Sequence, residues 1–219
     1  MSNETNLIFS HITKTGGSSI EKCAKKQNIL WGIFDEKFFE LLKKCLKTDL
    51  YDPWHIPIPW CLDCSEVAKH IKNKKIFTVV RNPYERILSE YFCQYGNKDK
   101  NKKYNKKDLN NFVKKRIKNY DYRNMGNAHL IPQYNYVYDG KKKIIDHVIK
   151  FENLKKGFKR LMKKYNLPIN LDEKANTSNK NLSIFDFDNN SIKTIRKIYY
   201  KDFIKFNYSF KLQTNSSNL

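Results

Sequence analysis

Three short apolar runs stand out along the chain, each stopped by polar or turn-forming residues. Leu7-Ile8-Phe9-Ser10-His11 ends at a glycine pair, and Ile76-Phe77-Thr78-Val79-Val80 ends at Arg81-Asn82-Pro83. His147-Val148-Ile149-Lys150-Phe151 ends at Glu152-Asn153. Short continuous runs of this kind predict strands buried in a parallel sheet. The stretches between them have helical patterning. Ser18 to Gln27 opens on small hydroxyl residues suited to capping, and residues 33–50 place Phe38, Leu41, Leu42, Cys45 and Leu46 on one face. Further helices are expected over residues 65–72, from Pro83 (capped by Asn82) to about Tyr95, over 108–119 and 126–137, from Asn153 to about Tyr165, and over 190–205. Three prolines make residues 51–60 an extended, ordered loop, and residues 96–107 and 168–183 read as further loops. Strands that alternate with helices imply an α/β fold, a three-layer sandwich with a central parallel sheet. A chain of 219 residues suffices for one such domain, with 1–6 and about 212–219 as flexible tails. No internal repeat appears.

Composition adds a strong charge. Lys and Arg number 43 against 22 Asp and Glu, a formal net charge of +21. Only 6 of the 43 are Arg, and Asn numbers 25, so part of the excess follows from a bias toward Lys and Asn codons. The rest suits an anionic cofactor and an anionic acceptor. A hydrophobic content of 40% excludes intrinsic disorder. No stretch approaches 18 apolar residues and residues 1–12 lack the features of a signal peptide, so the expectation is a soluble, cytoplasmic protein without a membrane span. The cysteines are Cys23, Cys45, Cys61, Cys64 and Cys93. An odd, sparse set reads as ordinary thiols; Cys61 and Cys64 form a lone CxxC with no further metal-ligand pair at zinc-site spacing.

Chemistry concentrates in two segments. Lys14-Thr15-Gly16-Gly17-Ser18-Ser19 joins the first strand to the first helix. Two glycines permit a sharp turn and close backbone approach, and uncapped N–H groups at the helix start face an anion. Lys14 adds a charge, and Ser18 and Ser19 add hydroxyls. This is not a Walker A loop, which needs GxxxxGK[ST]. The second segment follows the second strand: Arg81-Asn82-Pro83, with Ser89 eight positions after Arg81. Arg81 stands at the carboxyl end of a strand, where α/β folds bind ligands.

Together the two segments resemble the PAPS-dependent sulfotransferases (PAPS is 3′-phosphoadenosine 5′-phosphosulfate). His11-Ile12-Thr13-Lys14-Thr15-Gly16-Gly17-Ser18-Ser19 resembles their 5′-phosphosulfate loop, with Thr13 where the family usually has Pro. Arg81-Asn82-Pro83-Tyr84-Glu85-Arg86-Ile87-Leu88-Ser89 resembles their 3′-phosphate segment. His129-Leu130-Ile131-Pro132-Gln133, Lys150-Phe151-Glu152-Asn153-Leu154 and Tyr200-Lys201-Asp202-Phe203 are similar in order and spacing to the Golgi glycan-sulfotransferase branch. The likeness covers roughly residues 7–210. It implies a P-loop NTPase-like sulfotransferase fold and transfer of a sulfuryl group to a hydroxyl, on a carbohydrate acceptor, with no metal.

The resemblance also implies roles. Lys14 neutralises charge on the bridging oxygen while Thr15, Gly16, Gly17, Ser18 and Ser19 hold the 5′-phosphate; a fixed donor of this kind is worth roughly 3–4 kcal/mol. Arg81 and Ser89 hold the 3′-phosphate. His55, in the proline-ordered segment, is the candidate general base, with Glu21 and Glu36 as alternatives. His129 is a candidate for orienting substrate, while His11 and Glu152 read as structural. Asn176, Ser178 and Lys180 of the 174–180 loop are expected near the nucleotide, and Lys-rich 98–107 is a solvated loop or a grip on an anionic glycan. A non-catalytic basic nucleotide- or nucleic-acid-binding module is the rival class; Arg81 and Ser89, and the lack of RNA-reading aromatic motifs, favour the enzyme. The acceptor's identity and the oligomeric state are not encoded in these features.

Overall fold

The computed structural model describes residues 5–46, 53–93, 104–118, 120, 125–171 and 181–213. The chain divides into two compact units, Met1–Val80 with Asn135–Ala175, and Arg81–Tyr134 with Asn176–Leu219.

The first unit is built on a parallel sheet of three strands, β1 (Leu7–Ser10), β2 (Lys75–Val80) and a later strand, His147–Lys150, in the order β1, β2, His147–Lys150. Ser10 pairs with Thr78 and Val80 with Lys150, so all three strands end at one edge of the sheet. The three apolar runs are thus the three strands. Helices α1 (Gly17–Lys25), α2 (Glu36–Leu46) and α3 (Ser65–Ile71) lie between β1 and β2 in the chain. Side chains alternate along a strand. Leu7, Phe9, Phe77, Val79 and Ile149 share one face and pack against Ile20 and Ala24 of α1 and Phe158, Leu161 and Met162 further along. Trp31 joins this core and donates its indole N–H to the Leu7 carbonyl at 2.9 Å.

The second unit begins with α4 (Pro83–Tyr91), which Asn82 caps by accepting the Tyr84 N–H as expected. α5 (Lys106–Phe112) continues as one wide turn over Val113–Ile117. The expected helix over 126–137 is instead a 3-10 segment, Met125–Leu130, and a separate α6 (Tyr134–Val137). Pro132 divides them because its ring clashes with a continuing helix. After Tyr134 the chain returns to the first unit, with a short hairpin, β3 (Tyr138–Asp139) and β4 (Lys142–Lys143), then β5 (the His147–Lys150 strand) and α7 (Leu154–Lys164). Near the carboxyl end, the expected 190–205 helix is two, α8 (Asn189–Ile198) and α9 (Tyr200–Lys205), broken at Tyr199. Tyr84, Leu88, Leu109, Val113, Leu130, Phe187, Ile195, Tyr199 and Phe203 form this unit's core.

Two further expectations need correction. The proline-rich 51–60 segment is not simply extended: its described part contains two 3-10 turns, Pro53–His55 and Ile58–Cys61. Proline at the start of a tight turn loses nothing, because its missing N–H has no helical partner there. The cysteines are also not all ordinary thiols. Cys45 at the end of α2 is disulfide-bonded to Cys64, the residue before α3, across a Cα separation of 5.8 Å. Cys64 pairs with the distant cysteine because α2 and α3 pack together. Cys61, its CxxC neighbour, stays a buried thiol whose pKa burial raises to about 11.

Candidate active site

The glycine loop sits at the carboxyl edge of the sheet. Lys14 has φ 63° and Gly16 has φ 88°, two left-handed residues that reverse the chain between β1 and α1. Gly16 accepts that conformation without penalty, whereas Lys14 holds it at a cost of about 1 kcal/mol or more. α1 has no side-chain cap, so the N–H groups of Gly17 and Ser18 belong to a first turn that lacks intrahelical partners for them. This is a backbone nest fit for an anion. The donor set is narrower than residues 15–19. The Ser19 N–H goes to the Gly16 carbonyl at 3.2 Å, and the Thr15 hydroxyl goes to the Ile12 carbonyl at 2.7 Å. Thr15 is fully buried and braces the turn.

The loop has a fitted floor. A Cβ on Gly16 would lie 3.1 Å from both Leu154 and Phe151, so the Lys150–Leu154 segment supports the turn directly. A Cβ on Gly17 would collide with the His11 ring. His11 donates from Nδ1 to Glu21 Oε1 at 2.8 Å, and Glu21 also accepts the Ile33 N–H at 3.3 Å. Glu21 is thus removed as a general-base candidate, being 1% exposed and committed to two donors. Glu36 is exposed in the first turn of α2 and lines a groove of about 400 Å³. None of residues 11–19 lines that groove, so it lies apart from the loop.

His55 comes next to His11. The two rings meet edge-on with centroids 4.5 Å apart, and His55 Nδ1 faces the His11 carbonyl at 3.4 Å. A carbonyl only accepts, so Nδ1 is the donor in this pair, and in a neutral ring of that tautomer the lone pair is on Nε2. The Tyr136 hydroxyl donates to the His55 carbonyl at 2.6 Å and fixes its backbone.

In the second unit, Arg81, Glu85 and Ser89 recur every four positions and are the partly exposed residues of an otherwise buried stretch. They lie along one face of α4 and its approach. A guanidinium N–H of Arg81 reaches Glu85 Oε2 at 3.3 Å. The Arg81 backbone is held from both sides: its N–H donates to Gln133 Oε1 and its carbonyl accepts from Gln133 Nε2, each at 2.8 Å. Asp202 seats Gln133 in turn, accepting from the N–H groups of Gln133 at 2.9 Å and Tyr134 at 2.7 Å. Burial raises the Asp202 pKa to about 6, against the pull of those donors. Arg86, 1% exposed, donates to the carbonyls of Ile131 and His129. His129 is paired through Nδ1 with Glu90, at 3.0–3.1 Å, which gives it an anchoring position in this structure. Among the described residues Glu90, Cys93 and His129 are close enough to hold a metal ion together. Glu152 lies in the turn before α7. Asn176, Ser178 and Lys180, and most of the 98–107 segment, lie outside the described residues.

The Lys14–Gly17 turn and the Arg81–Ser89 face follow from their motifs, whereas the contacts of Gln133, Asp202 and the His11–Glu21 pair carry no local sequence signal. A family model described as "Sulfotransferase family" matches residues 1–209, a span that runs through both units. The chain belongs to the sulfotransferase family. No curated relative and no solved structure matches it. Sulfuryl transfer is therefore the class of chemistry of this sulfotransferase, on a mixed α/β fold with a parallel sheet. Among its described residues, no helix is long and apolar enough to cross a membrane.

Proposed function

We propose that this sulfotransferase takes its sulfuryl group from PAPS and passes it to a hydroxyl of a carbohydrate, on the three-layer, P-loop-like form of the fold. The observation that carries the donor is the turn at Lys14–Gly17, with left-handed positions at Lys14 and Gly16, an uncapped helix start and no room for a side chain at Gly17. Such a turn binds a phosphate or sulfate through backbone N–H groups. The family generally uses PAPS, and Arg81 with Ser89 on one face of α4 suits a 3′-phosphate; the Arg fork matches phosphate geometry better than a lysine does.

In this reading Lys14 stabilises charge on the bridging oxygen as 3′,5′-ADP leaves. His55 Nε2 takes the proton of the acceptor hydroxyl, and its Nδ1–H bond to His11 keeps the required tautomer. This reading assigns no metal to that step. The carbohydrate acceptor rests on the likeness of the His129–Gln133, Lys150–Leu154 and Tyr200–Phe203 segments to glycan sulfotransferases, and the net charge of +21 suits an anionic glycan.

Calorimetry with 3′,5′-ADP and 5′-AMP tests the donor. Tight binding of the first and weak binding of the second is expected; equal or absent binding sinks the assignment. His55→Ala is expected to retain 3′,5′-ADP binding and lose about 10²–10⁴-fold in turnover. Labelled PAPS offered to glycans, tyrosine peptides and small alcohols tests the acceptor.

A further inference from the structure

We propose that His11 and Glu21 form a positioning pair that sets both the phosphosulfate turn and the candidate base His55. The proposal rests on the PAPS-dependent reading above and gives a task to two residues that make no contact with the reacting atoms in that reading.

The pair is unusual for its location. His11 is 5% exposed and Glu21 1%, beneath the turn between β1 and α1. Burying a carboxylate is costly unless donors satisfy it, and apolar residues of similar volume would fill the same space more cheaply. Glu21 has two donors here, His11 Nδ1 and the Ile33 N–H. The surrounding chain is cut to fit them. Gly17 leaves room for the His11 ring, and Gly32 leaves room for the Glu21 carboxylate; a Cβ at either position would collide with the pair.

What the pair touches indicates its task. The His11 ring is the wall against which Gly17, the first residue of α1, rests. Its backbone carbonyl faces His55 Nδ1 at 3.4 Å, and its ring meets the His55 ring at 4.5 Å. A His11 ring allowed to turn would shift the N–H groups of the turn and the His55 ring together. Glu21 prevents that turn by holding Nδ1 at 2.8 Å. The donor site and the base are thereby indexed to one buried hydrogen bond.

The test uses the full chain with Glu21→Ala, Glu21→Gln and Gly32→Ala. Glu21→Ala removes the acceptor of His11 Nδ1. Glu21→Gln retains an acceptor oxygen. Gly32→Ala crowds the carboxylate from the far side without altering His11 or Glu21. The expected result is a fall in kcat of about tenfold to a hundredfold, with a raised KM for PAPS, in Glu21→Ala and Gly32→Ala, and recovery to within about threefold in Glu21→Gln. Each is measured on protein whose folded fraction is known from circular dichroism. Folded variants with wild-type kcat and KM, showing only a lower melting temperature, would overturn the proposal. If Glu21→Ala does not fold, Gly32→Ala against Glu21→Gln decides in the same way. Wild-type protein that fails to prefer 3′,5′-ADP over 5′-AMP defeats the PAPS reading instead, so the two failures are separable.

Discussion

Gln133 is the most economical place to test how Arg81 is held. Replacing it with leucine keeps much of the volume and removes three hydrogen bonds: one from the Arg81 N–H, one to the Arg81 carbonyl, and one to Asp202 at 3.3 Å. Gln133 is fully buried, so water does not readily replace the lost partner. An unsatisfied buried polar group costs about 1–3 kcal/mol, and two backbone groups lose their partner here. The sum is about 2–6 kcal/mol, a large share of the roughly 5–15 kcal/mol that holds an ordinary domain together. With an m-value near 2 kcal/mol per molar urea, the unfolding midpoint falls by roughly 1–3 M. Far-UV circular dichroism against urea reads this directly. The same variant, assayed below its midpoint, is expected to bind 3′,5′-ADP at least tenfold more weakly, because the Arg81 backbone is no longer fixed from both sides. A loss of stability below about 0.5 kcal/mol, the range of ordinary surface substitutions, would refute the assigned role of Gln133.

Other outcomes follow from the same contacts. The Asp202 carboxyl titrates near 6 in the fold against 3.8 as its ordinary value, so the folded form holds its proton more tightly than the unfolded chain. Its contribution is most favourable below pH 4 and is lost as pH rises through 6, by about 3 kcal/mol; urea titrations from pH 3 to 7.5 are expected to show this fall, and Asp202→Asn to abolish it. Reduction of Cys45–Cys64, or Cys45→Ser, opens a loop of 19 positions and is expected to cost about 3 kcal/mol, read as a lower melting temperature. Buried Cys61, with its thiol pKa near 11, is expected to resist iodoacetamide at pH 8 until the protein unfolds; prompt labelling of the native protein would contradict its placement.

The strands were legible because strands of a parallel sheet read as continuous apolar runs, and this chain has three such runs. The α4 start was legible because Asn82-Pro83 carries its own capping chemistry. Helix ends were less so. Nothing local separates α8 from α9 at Tyr199, whose fully buried ring and bond to the Leu130 carbonyl take it out of the helical pattern. The glycine turn and the Arg81–Ser89 segment were legible as motifs, since their spacing is set within one turn or one helix. Their supports were not. Asp202 and Gln133 stand 69 positions apart, and a carboxylate in a lysine-rich segment resembles an exposed one until its N–H donors are known. His11 and Glu21 were each noticed, but only the fold of the intervening turn makes them partners. The CxxC drew notice to the wrong pair because proximity in sequence says little once α2 and α3 pack together.

The sheet also dictates an order of assembly. β2 pairs with a strand that follows only after residues 81–146 have been made, so its second edge waits on a long closure. The glycine turn and its Phe151–Leu154 floor are complete once residue 154 exists, whereas Gln133 must wait for Asp202, close to the carboxyl end. On the ribosome, the glycine turn and the support of Arg81 would mature at different times. The support of Arg81 would come second, and a chain arrested before residue 202 would carry a formed glycine turn and a Gln133 that lacks its Asp202 partner.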